Sequence, residues 1–156
     1  MANVYVAESL CEYKPYTYGG NIGKGLIASV ELEAHSLVGE FIGDIITSME
    51  YSRREIAGRG GFGIYLRAGV ILDCYEYHKD GICKMSYANT ARHTYTFRGG
   101  ACPDGYDHIC GKWILNRNNC VARVDGDRVK LWVGRKAIEA DVELFWAYGG
   151  GYKILM

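Results

Sequence analysis

Apolar and polar residues alternate along much of the chain, which predicts a mainly β fold with little helix. Seven short, mostly apolar stretches predict strands, and the last two show the clearest alternation: 4–6, 26–30, 37–43, 62–66, 70–73, 119–124 and 128–133. The last two flank Asp125-Gly126, a dipeptide typical of tight hairpins, so they predict a two-stranded unit. The aromatic-rich stretch 143–149 predicts one more strand, which ends where three consecutive glycines begin.

One helix is expected, and a capping box at residues 47–50 marks its start. In such a box the side chains of Thr47 and Glu50 accept hydrogen bonds from each other's backbone N–H groups. The helix is expected to end at Gly58, because glycine commonly terminates helices. Residues 93–117 show only weak periodicity and are interpreted as an inserted loop.

The chain has 156 residues, and 49% of them are hydrophobic. A domain of this size buries roughly 70% of the surface of its unfolded chain, so one hydrophobic core is sufficient to fold it. The sequence shows no internal repeat, low-complexity segment or linker. We therefore expect a single domain over residues 1–156, with its core motifs at 23–149 and a short tail at 150–156.

The charges of the chain balance, with eighteen basic and eighteen acidic residues. A protein whose main partner is a phosphate backbone carries a basic surface, so direct binding of duplex DNA is disfavoured. The thirteen tyrosines would suit stacking on single-stranded RNA, but the neutral charge argues against that function too. Nowhere do eighteen apolar residues run together, so no membrane-spanning helix is expected.

The six cysteines form no CxxC pair, and the first ten residues lack the basic start and apolar core of a signal peptide. An intracellular protein with reduced thiols is the simplest interpretation. Three cysteines are expected to be small core residues: Cys74, Cys83 and Cys120. Four residues of the insert are zinc-ligand types: His93, Cys102, His108 and Cys110. Because no close cysteine pair is among them, we favour a surface loop with free thiols and expect no metal.

Several segments, taken in order, resemble the motifs of the SET domain, the fold of S-adenosylmethionine-dependent protein lysine methyltransferases. Gly23-Lys24-Gly25 is similar to the opening GxG of that family, and residues 37–44 are similar to V-x-E-Y-x-G-E. Residues 87–91 resemble F-I-N-H-S, residues 118–120 resemble P-N-C, and residues 137–149 resemble I-x-A-G-E-E-L-T-x-D-Y-G. Each piece is common by itself, so the resemblance depends on their shared order and spacing.

The resemblance implies a fold of small β-sheets whose C-terminal segment threads beneath a loop to form a pseudoknot. Tyr148 would be the catalytic residue, standing where the methyl group is transferred. Three residues would line the channel for the substrate lysine: Phe41, Tyr65 and Tyr87. Seven residues would bind S-adenosylmethionine: Gly23, Lys24, Gly25, Asn89, Thr90, Tyr148 and Tyr152. A histone tail would be the substrate, and the protein would then be nuclear.

The chain also departs from the family pattern. Thr90 replaces a histidine, Ala147 replaces an aspartate, and residues 93–117 interrupt the knot-forming segment. No cysteine-rich zinc segment follows the last motif, so the channel is expected to be closed by Tyr152, by the tyrosine-rich loop 13–21 or by a second subunit of a homodimer. Two functions therefore stay open: a lysine methyltransferase, and a SET-like binding module that has lost turnover.

Overall fold

The computed structural model describes residues 3–8, 24–88 and 119–146, together with the backbone of five short strands outside these ranges. The described strands, in chain order, are β1 Val4–Glu8, β2 Lys24–Ala28, β3 Leu37–Phe41, β4 Asp44–Thr47, β5 Gly63–Arg67, β6 Val70–Asp73, β7 Thr96–Phe97, β8 Gly100–Ala101, β9 Tyr106–Ile109, β10 Lys112–Leu115, β11 Cys120–Asp125, β12 Arg128–Val133 and β13 Tyr152–Lys153. The described helices are α1 Ser48–Ile56, α2 Tyr75–Lys79 and a 3₁₀ helix at Lys84–Tyr87.

The strands form several small antiparallel sheets. β12 lies between β11 and β3, and a sheet of four strands has the order β13-β5-β6-β4. β1 pairs with β2, β7 with β8, and β9 with β10. The hairpin predicted around Asp125-Gly126 is confirmed, since Asp125 pairs with Arg128 and Gly126 adopts a φ of 62°. The architecture is the mainly β fold with minor helix that the period of two predicts.

Helix α1 lies where its capping residues predict it. The Thr47 hydroxyl accepts a hydrogen bond from the backbone N of Glu50 at 3.1 Å, and Gly58 follows the helix with a φ of 80°. The other predicted hydrogen bond of the capping box, from the Thr47 backbone N–H to the Glu50 carboxylate, is wrong. The Glu50 carboxylate contacts Arg53 at 3.4 Å and Arg54 at 3.2 Å, because these cations lie one turn further along the same helix face.

Arg54 fastens α1 to the four-stranded sheet. Its Nη1 atom lies 2.9 Å from Oδ2 of Asp73 and 3.3 Å from Oδ2 of Asp44. The Asp73 side chain is 1% exposed, so the guanidinium compensates a carboxylate that water does not reach. Helix and sheet are therefore joined by charge as well as by packing.

Other expectations differ from the structure. The insert is not simply a loop, because β7 pairs with β8 and β9 pairs with β10 inside it. Strands of two to four residues are too short to produce a measurable alternation in the sequence. The same reason explains why α2 and the 3₁₀ helix were not predicted, since each has five residues or fewer. The tail also contributes a strand, because β13 pairs with β5.

The hydrophobic core joins residues from both ends of the described chain, from Val4 on β1 to Trp146. The prediction that three cysteines belong to this core is confirmed: Cys74, Cys83 and Cys120 are buried, and their thiols are free. Among the described residues, no helix has the length and apolar character needed to cross a membrane.

Candidate functional site

The C-terminal segment 141–146 returns to β2, the strand that carries the GxG motif. The backbone N of Leu144 donates to the carbonyl of Leu26 at 2.8 Å, and the N of Ala28 donates to the carbonyl of Val142 at 2.9 Å. These bonds frame an antiparallel bridge between Ile27 and Glu143. The aromatic stretch predicted as a strand is thus held by isolated bridges in its described part rather than by a continuous ladder.

Asn119 clamps this segment from the opposite side. Its Nδ2 atom donates to the carbonyl of Glu143 at 2.9 Å, and its Oδ1 atom accepts from the backbone N of Phe145 at 2.8 Å. The backbone N of Asn119 also donates to the carbonyl of Phe145 at 3.0 Å. One amide therefore satisfies a donor and an acceptor of the same segment, which is possible because an amide carries both kinds of group. The motif resemblance pointed to Asn119, but its clamping contact was not predicted.

Trp146 connects the C-terminal segment to the chain just before Asn89. Its indole N–H donates to the carbonyl of Ala88 at 3.0 Å, and both residues are buried. Ala88 directly precedes Asn89, and Trp146 lies two residues before Tyr148. The structure thus brings together two residues that lie one and two positions before predicted site residues. Four predicted site residues lie outside the described part of the chain: Gly23, Asn89, Thr90 and Tyr148.

The two described residues of the GxG motif differ in their surroundings. Lys24 is exposed, whereas Gly25 is buried. A Cβ atom placed on Gly25 would lie 2.4 Å from Oε2 of Glu143, which is closer than real Cβ atoms come to any neighbour. A side chain at this position would therefore require the Glu143 carboxylate to move.

The three predicted channel residues have different environments. Phe41 is 2% exposed and packs on the Trp146 ring at a centroid distance of 5.3 Å, which makes it a core residue in this structure. Tyr65 on β5 is 43% exposed. Tyr87 is half-buried, and its hydroxyl donates to the carbonyl of His78 at 2.8 Å. Their assignment to a lysine channel stays a prediction.

His78 is a residue near Tyr87 that sequence reasoning missed. Its ring stacks between Phe62 and Tyr87, with centroid distances of 4.0 Å and 4.1 Å. Its Nδ1 atom lies 2.7 Å from the Ser86 hydroxyl, which itself donates to the carbonyl of Cys83 at 2.7 Å. Because the single serine proton is donated to this carbonyl, the neutral ring would donate from Nδ1 to the serine oxygen. The sequence does not predict this stack, because its three rings come from separate parts of the chain.

Burial between these rings lowers the pKa of His78 to about 4 from its ordinary 6.5. As the pH falls below about 6.5, the unfolded chain binds a proton at this residue while the native ring stays neutral until about pH 4. The neutral His78 ring therefore contributes its full stabilisation above about pH 6.5, and this contribution is lost as the pH falls toward about 4. We expect the free energy of unfolding to decrease by about 2–3 kcal/mol between about pH 7 and about pH 4 from this group.

Urea unfolding of wild type and His78→Phe across this pH range measures that contribution. Phenylalanine keeps a ring in the stack, so the variant should lose the His78 part of the pH dependence. His35→Asn, at an exposed residue with a φ of 62°, controls for the removal of an imidazole from the chain. Identical pH dependence in wild type and His78→Phe would contradict the assignment.

Tyr152 belongs to β13, where its backbone pairs with Ile64 on β5. The described residues contain no group of three or more side chains arranged to hold a metal ion. The side chains of the four residues considered for zinc lie outside that part of the chain: His93, Cys102, His108 and Cys110. Neither the metal-free expectation nor the zinc alternative is therefore tested.

The fold and the returning segment correspond to a known family. A sequence model of the SET domain matches residues 23–149, which is most of the chain. The chain belongs to the SET domain family, whose members are generally S-adenosylmethionine-dependent lysine methyltransferases. No curated protein matches the chain.

Two similar solved structures are of a humanized mutant of the Chaetomium thermophilum Polycomb Repressive Complex 2. The one bound to the inhibitor GSK126 has a TM-score of 0.61 and 22% identity, and the match covers 97% of this chain and 15% of that one. The one bound to GSK343 has a TM-score of 0.61 and 23% identity, over 97% of this chain and 16% of that one. The likeness confirms the SET fold, and this chain spans about one sixth of the length of either neighbour.

Proposed function

We propose that this chain is a protein lysine N-methyltransferase that uses S-adenosylmethionine. The observation that carries the proposal is the meeting of three distant motif segments at residues 143–146. Leu26 next to the GxG motif, Asn119 and Ala88 each hydrogen-bond this segment. Because the segment continues directly to Tyr148, the arrangement supports a site in which that phenol lies near Asn89 and the glycine strand.

The described residues fit an S-adenosylmethionine site at the start of β2. Gly25 carries no side chain and packs on the Glu143 carboxylate, and the contacts of Gly23, Lys24 and Gly25 with the amino-acid end of the cofactor would use backbone groups. Asn89 would add side-chain hydrogen bonds, and Thr90 would add its backbone. Tyr152 would contact the cofactor from the tail. When bound, S-adenosylmethionine supplies a methyl group on a positively charged sulfur.

The proposed roles of the chain's own residues are to align the substrate amine with the methyl group and to remove water from that amine. The Tyr148 phenol, with an ordinary pKa of about 10, stays protonated at neutral pH and can orient the substrate amine in line with the methyl group. The lysine must arrive neutral, which costs about 4.6 kcal/mol at about pH 7 in water. Aromatic walls lower this cost because they disfavour the ammonium form. Tyr87 and Tyr65 are candidates for such walls, and Phe41 would support them from the core.

We further propose a histone tail as the substrate and, in consequence, a nuclear location. This step is by analogy with the family, since a fold alone does not define a substrate. The single-domain organisation and the closure of the channel by Tyr152, loop 13–21 or a second copy in a homodimer are part of the same proposal. A balanced charge remains the reason to expect no direct contact with nucleic acid.

A catalytically silent SET-like binding module is the second candidate. Thr90 and Ala91, which stand where the family has His-Ser, and the insertion at 93–117 favour it, because they change the family's motif segment. Such a module would keep the clamped C-terminal segment and bind a protein partner without turnover. The two candidates differ in whether a methyl group is transferred.

Calorimetric titration with S-adenosylmethionine, followed by a label-transfer assay on histones, tests the proposal. We expect saturable binding at one site and transfer of label to lysine. Binding without transfer to any of the core histones would support the silent module. An absence of cofactor binding would overturn both the cofactor assignment and the enzyme.

A further inference from the structure

Glu143 is a buried acidic residue to which the proposed reaction assigns no role. It is 3% exposed, and its bridge partner Ile27 is 2% exposed. Cross-strand partners share a face of the sheet, and residues two apart on a strand share that face too. Glu143 therefore lies diagonally across from Gly25.

The carboxylate rests directly against Gly25. The position of a Gly25 Cβ would be 2.4 Å from Oε2, 2.8 Å from the carboxyl carbon and 3.3 Å from Oε1 of Glu143. The side chain thus fills the space that any other residue at position 25 would occupy. Glu143 and Lys24 each take part in interactions of their own in the structure. Burial of a carboxylate is unfavourable unless its contacts are well formed, so its placement here calls for a reason.

The backbone beneath Glu143 is held on two sides. Asn119 donates to its carbonyl at 2.9 Å, and Leu144 donates to Leu26 at 2.8 Å. Because this backbone is hydrogen-bonded on both edges, the Glu143 side chain has a well-defined position against Gly25. Gly25 pairs with Ala7 on β1, and the Glu143 side chain covers the face of the strand that a Gly25 side chain would otherwise fill.

We propose that Glu143 is a positioning residue that acts through Gly25. Its carboxylate holds the backbone of the GxG strand in the conformation that receives the amino-acid end of the cofactor. The inference rests on the proposed function, because that function places Gly23, Lys24 and Gly25 at this end of S-adenosylmethionine. It also makes Glu143 a link between the glycine strand and the segment that leads to Tyr148.

The test uses two ligands that differ only at the amino-acid end. S-adenosylhomocysteine carries it and 5′-methylthioadenosine lacks it. In Glu143→Ala, which removes the side chain that rests against Gly25, we expect the Kd for S-adenosylhomocysteine to rise about tenfold, the effect of losing one well-placed contact, whereas Glu143→Gln, which keeps that shape, should bind it like wild type. In both variants the Kd for 5′-methylthioadenosine should change less than about twofold, and the melting temperature of Glu143→Gln should stay near that of wild type. Glu139→Ala, at an exposed residue four positions before Glu143, is the matched control.

A double-mutant cycle checks whether the effect passes through Gly25. Gly25→Ala alone should weaken S-adenosylhomocysteine binding, because its methyl group collides with the Glu143 carboxylate. In the Glu143→Ala background this collision is absent, so Gly25→Ala should raise the Kd for S-adenosylhomocysteine by a clearly smaller factor. Additive effects in the cycle, or equal weakening for both ligands in Glu143→Ala, would overturn the inference. Failure of the wild type to bind S-adenosylhomocysteine would instead overturn the proposed function.

Discussion

Replacing Tyr148 with phenylalanine is expected to lower the methyl-transfer rate by about a hundredfold or more while the fold stays near wild type, with a smaller loss of cofactor affinity because Tyr148 is also proposed to contact the cofactor. The substitution removes one hydroxyl and keeps the ring. Without that hydroxyl the substrate amine is not held in line with the methyl group, and misplacement of reacting atoms by about 1 Å costs about a hundredfold in rate. Single-turnover label transfer measures the loss, and calorimetry and thermal unfolding measure affinity and stability.

Tyr5→Phe is the control for removing a phenol hydroxyl. Tyr5 is 39% exposed, its hydroxyl makes a 3.4 Å hydrogen bond to Asp141, and it has no role in the proposed site. Its transfer rate should match that of wild type. An unchanged rate in Tyr148→Phe would reject the role assigned to Tyr148, whatever the control shows.

Asn119→Ala is expected to lower the free energy of unfolding by about 3 kcal/mol, because two hydrogen bonds are lost and two backbone groups lose their partner. Those groups are the carbonyl of Glu143 and the N–H of Phe145, which Asn119 contacts at 2.9 Å and 2.8 Å. Release of this segment should also weaken cofactor binding, since the same segment leads to Tyr148. Urea unfolding and calorimetry measure the two effects.

Asn119→Asp separates the two halves of the clamp. Aspartate keeps an acceptor for Phe145 but places a second acceptor against the carbonyl of Glu143, so a partial loss of stability is expected. Asn3→Ala, at an exposed residue, is the control for loss of an amide. A change below about 0.5 kcal/mol in Asn119→Ala would show that the clamp does not hold the segment.

Features that depend on near neighbours in the chain were predictable. The hairpin at Asp125-Gly126 and the start of α1 at Thr47 follow from turn and capping chemistry within a few residues. The short strands of the insert and helix α2 were missed, because elements of two to five residues do not complete a recognisable period.

The sequence predicted which segments contribute to the candidate site, but not which of their atoms are in contact. The motif resemblance pointed to the glycine strand, residues 118–120 and the C-terminal stretch. It did not show that Asn119 binds a segment 24 and 26 residues away, or that Trp146 binds a carbonyl 58 residues away. Phe41 was predicted as a channel wall from its motif position, and the structure shows its ring packed on Trp146.

By itself the sequence determined the β character of the chain, its main strands, its one long helix and, through ordered motifs, its family. These properties depend on local alternation, on caps and turns, and on residue order, all of which can be read along one chain. Only the tertiary structure decided which atoms meet: Glu143 with Gly25, Asn119 with Phe145, and His78 with Tyr87. Such pairs depend on how sheets pack and on where a distant segment returns, and no periodicity encodes either of these.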